Sequence, residues 1–596
     1  MARTKHIRKS TVLKIAITIA PLLVWGFINI DLGVMTNNQT TMLWVHGPST
    51  LDSAEEGELL IEAWDQFERL SCSYKGRVEF SLKSYDIDTL EPIPEEEVVS
   101  QLPAPHRFTG QLFGQGIIPA YLLPGMDNGM RRFRFQISTE GVHYILVEDT
   151  LTEKTYWSNP IVVEDSATPL VWGDIHSHSL LSDGSGMPYE NYYFARVVAG
   201  VEFASITDHG ENLHLDNGWS SIQAASNAAN DPGEFVAFQG VEWTSSGGPH
   251  TPSWGYGHLT FIFSGDQVGR ISADIQKTAD DLWNYLDEFT SETGDRALAE
   301  PHHCVRQPFI QDWAACFNHP EYMRVAEAYS VHGSSLINPY SQWNETGTVG
   351  QPGAEIPGSS INEALSMGLR LGFIANGDSH DGFLGHSISH TRAFIGHQYP
   401  PAYDSSRVPQ PYPSGVTGAF VGNITREAVF HAIYKRATIA NSDYGRPYVR
   451  FSVNGLEPGD NDSTLIVDNA TTNREITLFL AQDGNPSAGY KRAAKPWIDD
   501  RDWSARVQVF KNGDLWREEE IATPLASITF TDSAAITGTE YENCTIKNGE
   551  WYINGESLTA VDPDSLNTGG ADYYFVRVLT SNGRFTAIGP IWVESA

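Results

Sequence analysis

The sequence places histidines and acidic residues at the ends of short apolar segments in its middle third. In VWGDIHSHSLLSD an apolar run ends at His176 and His178, and Asp183 follows a few residues later. Side chains of a strand alternate with a period of two, so the two histidines project to the same side, as ligands of one metal ion must. One such pair is weak evidence, because histidines spaced in this way occur often in loops.

Five further segments repeat the arrangement, each with an imidazole or carboxylate beside an apolar strand-like run. In a barrel of parallel strands all carboxyl ends open on one face, so residues distant in sequence converge there. The repeated coincidence predicts a clustered metal site. The segments supply His209 in FASITDHGEN, Glu242 in FVAFQGVEW, His258 in WGYGHLTF, His302 and His303 in RALAEPHH, and Asp378 and His380 in GFIANGDSH.

The ligand types indicate which metals this cluster would hold. Mixed imidazole and carboxylate ligands suit zinc, manganese or iron, and the four cysteines show no CxxC or other zinc-type spacing. Nine ligands exceed what one ion takes, so we predict two or three divalent cations, bridged by a carboxylate such as Glu242. Adjacent cations activate water and clamp both oxygens of an in-line displacement, which fits phosphoester hydrolysis best.

The ordered motifs HxH with a following Asp, TDH, GVEW, GHLTF, EPHH and DSH resemble those of the PHP (polymerase and histidinol phosphatase) superfamily. They are most similar to its exported bacterial PHP-like branch, over about residues 169–441. The resemblance implies a distorted barrel of seven βα units, a two- or three-metal centre and phosphoesterase activity. The ligands it implies are His176, His178, Asp183, His209, Glu242, His258, His302, Asp378 and His380.

Three residues near these ligands receive catalytic roles. PHH stands where the family more often has AHP, so either histidine fits the ligand position; we assign His302 to the metal and leave His303 for substrate or a proton. We predict that water activated by the cations attacks phosphorus while His303 or His332 protonates the leaving group. Arg306, close behind the histidine pair, could bind an anionic group bidentately or could be a surface arginine.

The sequence allows two roles for several acidic residues near the ligands. Asp174 and Asp208 precede ligand histidines and could orient an imidazole, a role that such ligands usually need filled, or could cap loops. Glu327, on the strand-like MRVAEAYSVH, could line the pocket or form an interior pair with His332. The sequence does not choose between these readings.

The segments on either side of the middle region alternate apolar and polar residues, as in GRVEFSLKSY, GVHYILVED, YVRFSVNG and ARVQVFKNG. This alternation predicts strands, whereas the middle region alternates strand and helix patterns and predicts βα units. The fold class we expect is α/β with flanking all-β domains, a PHP-type barrel between two β-sandwich-like domains. The expected divisions are 1–40 as signal peptide or anchor, 41–168 as β sandwich, 169–445 as catalytic barrel and 446–596 as a second β domain.

The chain begins with a basic segment followed by the apolar residues 15–30, IAITIAPLLVWGFINI. A basic flank before such a run predicts export. The run is somewhat short for a membrane helix of about 20 residues, yet no cleavage motif follows it. A removed signal peptide and a retained anchor both fit, so we expect a periplasmic protein or one anchored in the inner membrane facing the periplasm.

The net charge of the chain limits which kinds of molecule the protein is expected to bind. Lys and Arg number 39 against 74 Asp and Glu, a formal net charge of −35 that would repel phosphate backbones and argues against general nucleic-acid binding. A small anionic substrate stays compatible, because two or three divalent cations dominate the local charge. Two alternatives remain: a hydrolase or lyase acting on a non-phosphate substrate, and a non-enzymatic carbohydrate- or surface-binding protein with structural metals.

Overall fold

A computed structural model describes most of the chain, but the N-terminal segment predicted to direct export lies outside the described residues. None of the helices in the described part combines the length and apolar character needed to cross a membrane. The described residues are 40, 42–64, 70–110, 125–213, 218–245, 256–305, 311–313, 319–337, 359–387, 413–486, 503–537, 544–547, 550–553, 556–560, 570–581 and 583–596.

The first region forms two sheets. The strands are β1 (Met42–His46), β2 (Thr50–Leu51), β3 (Glu56–Trp64), β4 (Arg77–Tyr85), β5 (Pro92–Ile93), β6 (Ser100–Gln101), β7 (His106–Arg107), β8 (Met130–Ile137), β9 (Gly141–Asp149), β10 (Lys154–Trp157) and β11 (Ile161–Val163). One sheet has four strands in the order β1-β3-β8-β6, and the other has seven, with β2-β11-β9-β4-β5 as its main path.

These two sheets share one hydrophobic core. Leu43 and Ile61 of the first sheet and Val147 and Ile161 of the second belong to the same buried cluster. A core shared by two sheets is the pairing of sheets that the alternating sequence pattern predicts.

The middle region mixes strands and helices. Its strands are β12 (Leu170–Asp174), β13 (Phe203–Ser205), β14 (Val236–Ser245), β15 (Gly257–Phe263), β16 (Ala297–Pro301), β17 (Val325–Ser330), β18 (Gly333–Ser334), β19 (Gly372–Ala375), β20 (Val416–Phe420) and β21 (Thr438–Asn441). Its helices are α1 (Pro188–Tyr193), extended by a π-helical turn (Phe194–Ala199), α2 (Gly210–Leu213), α3 (Gly218–Ala229), α4 (Ala279–Thr293), α5 (Ile361–Ser366) and α6 (Arg426–Tyr434).

Helix α4 shows how local sequence sets these elements. Its N-terminus is capped by the Thr278 hydroxyl, which accepts a hydrogen bond from the Asp281 backbone N–H. Leu282 and Leu286 lie on the buried face at helical spacing. The helix ends at Gly294, whose φ of 76° is the left-handed conformation that glycine adopts most readily.

The strand pairings of the middle region are mixed, which differs from the largely parallel arrangement expected of βα units. Strands β12, β13 and β14 pair in parallel, as do β17 and β19. Strands β15, β16, β20 and β21 instead make antiparallel pairs with their sheet neighbours. Sequence periodicity indicates that a segment is a strand but not its direction relative to its neighbours.

The strands of this region nevertheless surround a common set of side chains. Strands β12 to β17, β19 and β20 all contribute to one buried cluster, which includes Val171, Phe238 and Ile374. Val429 and Ile433 of α6 pack into the same cluster. These strands belong to two sheets, the 12-stranded sheet and the sheet β18-β17-β19, which therefore share one apolar interior.

The last region consists mainly of strands. They are β22 (Tyr448–Val453), β23 (Thr464–Val467), β24 (Arg474–Ala481), β25 (Ala505–Lys511), β26 (Asp514–Ile521), β27 (Leu525–Asp532), β28 (Cys544–Lys547), β29 (Glu550–Ile553), β30 (Glu556–Ala560), β31 (Asp572–Thr580) and β32 (Phe585–Ser595). Strands β22, β24 and β27 form one sheet, and β25, β26, β31 and β32 extend the sheet of the middle region.

A single 12-stranded sheet joins the middle and last regions. Strand β21 pairs with β32, with Ile439 opposite Ile588. The boundary expected between residues 445 and 446 therefore falls where one sheet continues from one region into the next.

The first region meets the middle region around His386. The His386 ring centroid lies 3.9 Å from that of Trp64 on β3 and 4.0 Å from that of Tyr444. His386 Nδ1 lies 4.0 Å from Oε2 of Glu62, which is 1% exposed. Burial raises the pKa of Glu62 to about 8, although Trp64 and nearby guanidinium groups act to lower it.

Replacing Glu62 with Gln tests this buried carboxyl. A group whose folded pKa is raised contributes stability that is complete below its unfolded pKa, near 4.5, and is lost as the pH rises through about 8. Because Gln does not titrate, we expect Glu62→Gln to gain stability relative to the wild type progressively between these pH values. Urea midpoints measured across this range check the prediction, and a stability difference independent of pH would contradict it.

Candidate metal centre

The predicted site residues gather at the ends of strands from two sheets. His176, His209 and Asp378 follow the carboxyl ends of β12, β13 and β19, which run in parallel with their partners β13, β14 and β17. His258 lies at the amino end of β15, and this end is at the same edge because β15 is antiparallel to β14. Strand β16 reverses direction again, so His302 after its carboxyl end returns to the edge.

Glu242 lies at the centre of the site and is 1% exposed. Its oxygen Oε2 faces His176 Nε2 at 3.6 Å and His178 Nε2 at 3.1 Å. Its other oxygen faces three different imidazoles. Oε1 lies 3.4 Å from His209 Nδ1, 2.8 Å from His258 Nδ1 and 3.5 Å from His302 Nε2.

Asp378 is a second point of contact among the nine predicted ligands, which together form the cage. Its oxygen Oδ1 lies 3.4 Å from His176 Nε2, 3.5 Å from His178 Nε2 and 3.6 Å from His380 Nδ1. Glu242 and Asp378 therefore contact the same HxH pair from two directions. The pair projects to one side, as its spacing predicts.

Asp183 occupies the more open side of the cage. Its oxygen Oδ1 lies 3.1 Å from His380 Nε2 and 3.4 Å from His209 Nε2. The Asp183 side chain is 36% exposed and that of His209 is 18% exposed, whereas His176 is fully buried. A small solute would therefore reach the cage from the Asp183 side.

The spacing of the donor atoms fits metal ions. Two ligands about 2.1 Å from one ion are separated by roughly 3–4 Å. Nε2 of His176 and of His178 are buried and make no hydrogen bond within the described part of the chain, although carboxylate oxygens lie close to both. The groups whose donor atoms lie within 4.8 Å of one another are His178, Asp183, His209 and His380; His258, His302 and His303; His176, His302 and Asp378; His176, His178 and Glu242; and His303, His332 and Asp378.

The electrostatics of the cage favour positive charge. Burial raises the pKa of Glu242, but the imidazoles of His209 and His302 outweigh this effect and lower it well below its usual value. Burial lowers the pKa of His178, yet the carboxylates of Asp378 and Glu242 raise it to about 9. The carboxylates stay ionised and require compensating positive charge, which protons or metal cations can supply.

Two hydrogen bonds orient ligand imidazoles. Glu327 Oε2 lies 2.8 Å from His176 Nδ1, which leaves Nε2 of that ring directed at Glu242 and Asp378. Thr244 Oγ1 lies 2.6 Å from His209 Nδ1. Partners of this kind fix the orientation of metal-binding imidazoles.

Asp174 and Asp208 hold loops rather than imidazoles. Asp174 accepts backbone N–H bonds from His176, Gly377 and Gly385, which ties together the two loops that carry the HxH and DSH motifs. Asp208 accepts from the backbone N–H and the hydroxyl of Ser179, at 2.7 and 2.5 Å.

The structure brings all nine predicted ligands into these groups, and the groups also include His303 and His332. Their individual roles stay predictions. Arg306 lies outside the described residues. Sequence reasoning missed Thr244, although it lies two residues after Glu242 on β14 and so on the same face, a signal that could have found it. It also missed Asn376, whose Nδ2 donates to Glu327 at 3.3 Å.

Removing the central carboxylate tests the cage. Because the two oxygens of Glu242 face different groups of imidazoles, we expect Glu242→Gln to lose most of the bound manganese or zinc, whereas the wild type retains about two equivalents or more. Elemental analysis of dialysed protein measures this change. Glu62→Gln, a buried carboxyl outside the cage, is the matched control, and equal metal content in both variants would contradict the prediction.

Comparison with known proteins finds one family model and two sequence relatives. Residues 189–305 match the family described as a protein of unknown function, DUF3604. Uncharacterized proteins of Chlamydia muridarum and of Chlamydia trachomatis serovar D are 22% and 21% identical over 76% of this chain. The chain spans 62% of the length of each of these relatives.

Solved structures show low overall similarity. A two-domain protein of Bacteroides vulgatus containing a predicted PHP-like metal-dependent phosphoesterase is 13% identical, with a TM-score of 0.29 over 62% of this chain and 88% of that one. A glycosyl hydrolase family 2 member of Bacteroides cellulosilyticus is 7% identical, with a TM-score of 0.19 over 92% of this chain and 78% of that one. With TM-scores this low, neither structure establishes the fold of this chain.

Proposed function

We propose that this protein is an exported metal-dependent hydrolase that cleaves phosphate esters. The observation that carries the proposal is the position of Glu242, whose two oxygens face two different groups of imidazoles. A carboxylate placed in this way can bridge two cations, which is the arrangement used to activate water and stabilise an in-line displacement.

The donor set favours zinc, manganese or iron over calcium or magnesium. Imidazole nitrogens dominate the cage, whereas calcium and magnesium prefer oxygen ligands. When bound, two or three such cations would supply an activated water and neutralise the oxygens of a phosphoryl group. The residues proposed to hold them are His176, His178, Asp183, His209, Glu242, His258, His302, Asp378 and His380.

Residues of this chain determine where substrate reaches the site and how the ligand rings are oriented. Asp183, at the more exposed side, leaves this part of the cage accessible to substrate. Glu327 and Thr244 hold the rings of His176 and His209, so that little reorganisation accompanies the reaction. We retain the role of Arg306 in binding an anionic group as part of the proposal.

The proposal includes an architecture and a location. We propose that the strands that contribute to the cluster of Val171, Phe238 and Ile374 correspond to a distorted PHP-type (βα)7 barrel between two β domains. Export to the periplasm, with the N-terminal segment cleaved or retained as an anchor, rests on the basic and apolar start of the sequence.

A panel of phosphomonoesters and phosphodiesters tests the proposed function. We expect manganese- or zinc-loaded protein to hydrolyse at least one of them, and removal of the cations by a chelator to abolish turnover reversibly. His178→Ala should reduce the rate by about 100-fold or more, because it removes a nitrogen that faces both Glu242 and Asp378.

The control for this assay is Glu62→Gln, which should retain the wild-type rate because Glu62 lies outside the cage. Metal-loaded protein that hydrolyses no phosphate ester but cleaves a carboxylic ester or amide would contradict the phosphoesterase assignment. Tight glycan binding without any turnover would contradict the hydrolase assignment itself.

A further inference from the structure

Two buried histidines, His303 and His332, lie beside the cage but outside the nine-residue ligand set. Their ring centroids are 5.2 Å apart, and they are 3% and 1% exposed. One donor atom of each lies within 4.8 Å of the other and of an oxygen of Asp378. We propose that His303, His332 and Asp378 form an additional divalent cation site, an inference that rests on the metal centre of the proposed function.

Asp378 has the geometry to serve this site and the main cage together. Its oxygen Oδ1 faces His176 Nε2 at 3.4 Å and His178 Nε2 at 3.5 Å, whereas Oδ2 lies 2.8 Å from His332 Nε2. The two oxygens thus contact different imidazoles, as those of Glu242 do. One carboxylate can therefore bridge a cation of the cage and a cation at the additional site.

Two of the three residues have an unusual backbone conformation. His303 has a φ of 34° and Asp378 a φ of 48°, both in the left-handed region that residues other than glycine rarely adopt. Conformations of this kind persist where the surrounding structure enforces them, and they are concentrated at functional sites.

The chemistry of the donors selects the class of cation. Two imidazole nitrogens and one carboxylate oxygen suit zinc, manganese or iron, and three protein ligands leave coordination positions open for water or substrate. His303 also lies close to His258 and His302, with ring centroids 4.7 and 4.3 Å away. The additional cation would therefore adjoin the cage.

This assignment gives His303 and His332 a role different from proton donation. A nitrogen that binds a cation has no proton to deliver to a leaving group. The sequence alone favoured proton transfer because imidazoles beside a metal centre commonly act as general acids. The grouping of one donor atom each from His303, His332 and Asp378 within 4.8 Å of one another favours a ligand role instead.

Metal stoichiometry of the full-length protein tests the proposal. Protein dialysed against manganese or zinc and measured by elemental analysis should lose one equivalent in His332→Asn, and the same equivalent in His303→Asn. The double variant should lose no more than either single variant. His431→Asn, at an exposed histidine on α6, should retain the wild-type content.

The outcomes separate this site from the cage. Variants that keep the full wild-type stoichiometry would show that His332 and Asp378 form a hydrogen bond only, and the additional site would be wrong. Variants that lose every cation would also overturn it, because the site would then not be separate. A wild type without any bound metal would overturn the proposed function as well, so the two failures are distinguishable. Circular dichroism of each variant confirms folding, and either single variant alone decides the result.

Discussion

The structure depends on the burial of a few carboxylates among many imidazoles. Glu242 is 1% exposed and has five histidines within 3.6 Å of its two oxygens. An ionised carboxylate removed from water is costly unless positive charge or hydrogen bonds compensate it. The cage therefore requires positive charge at its centre. Divalent cations would satisfy this requirement, and when bound they would also activate water for hydrolysis.

The fold meets this requirement by joining distant segments at one edge. Asp174 accepts backbone N–H bonds from Gly377 and Gly385, some two hundred residues away, and so holds the two loops that carry the HxH and DSH motifs together. The loop after Asp378 continues to His386, which packs against Trp64 and Tyr444. The first β region is thus in direct contact with a loop of the metal centre. The last region shares a sheet with the middle region, through the pairing of β21 with β32.

The sequence predicts the cage better than the sheet around it. Two signals in the sequence predicted which side chains gather: the spacing of His176 and His178, and the acidic or histidine residue at each strand end. These signals suffice because the end of a strand determines the position of the residues that follow it. The antiparallel direction of β15 and the pairing of β21 with β32 depend on long-range contacts, which periodicity does not encode. The loop-holding role of Asp174 was equally open, because its partners lie far along the chain.

Anomalous diffraction from crystals of metal-loaded protein, measured above and below the absorption edge of the metal, tests the central claim most directly. The account predicts separate anomalous peaks within about 2.0–2.3 Å of Glu242 Oε1 and of Oε2, each also bonded to histidine nitrogens. An empty cage in metal-loaded crystals, with imidazoles hydrogen-bonded directly to Glu242, would contradict it.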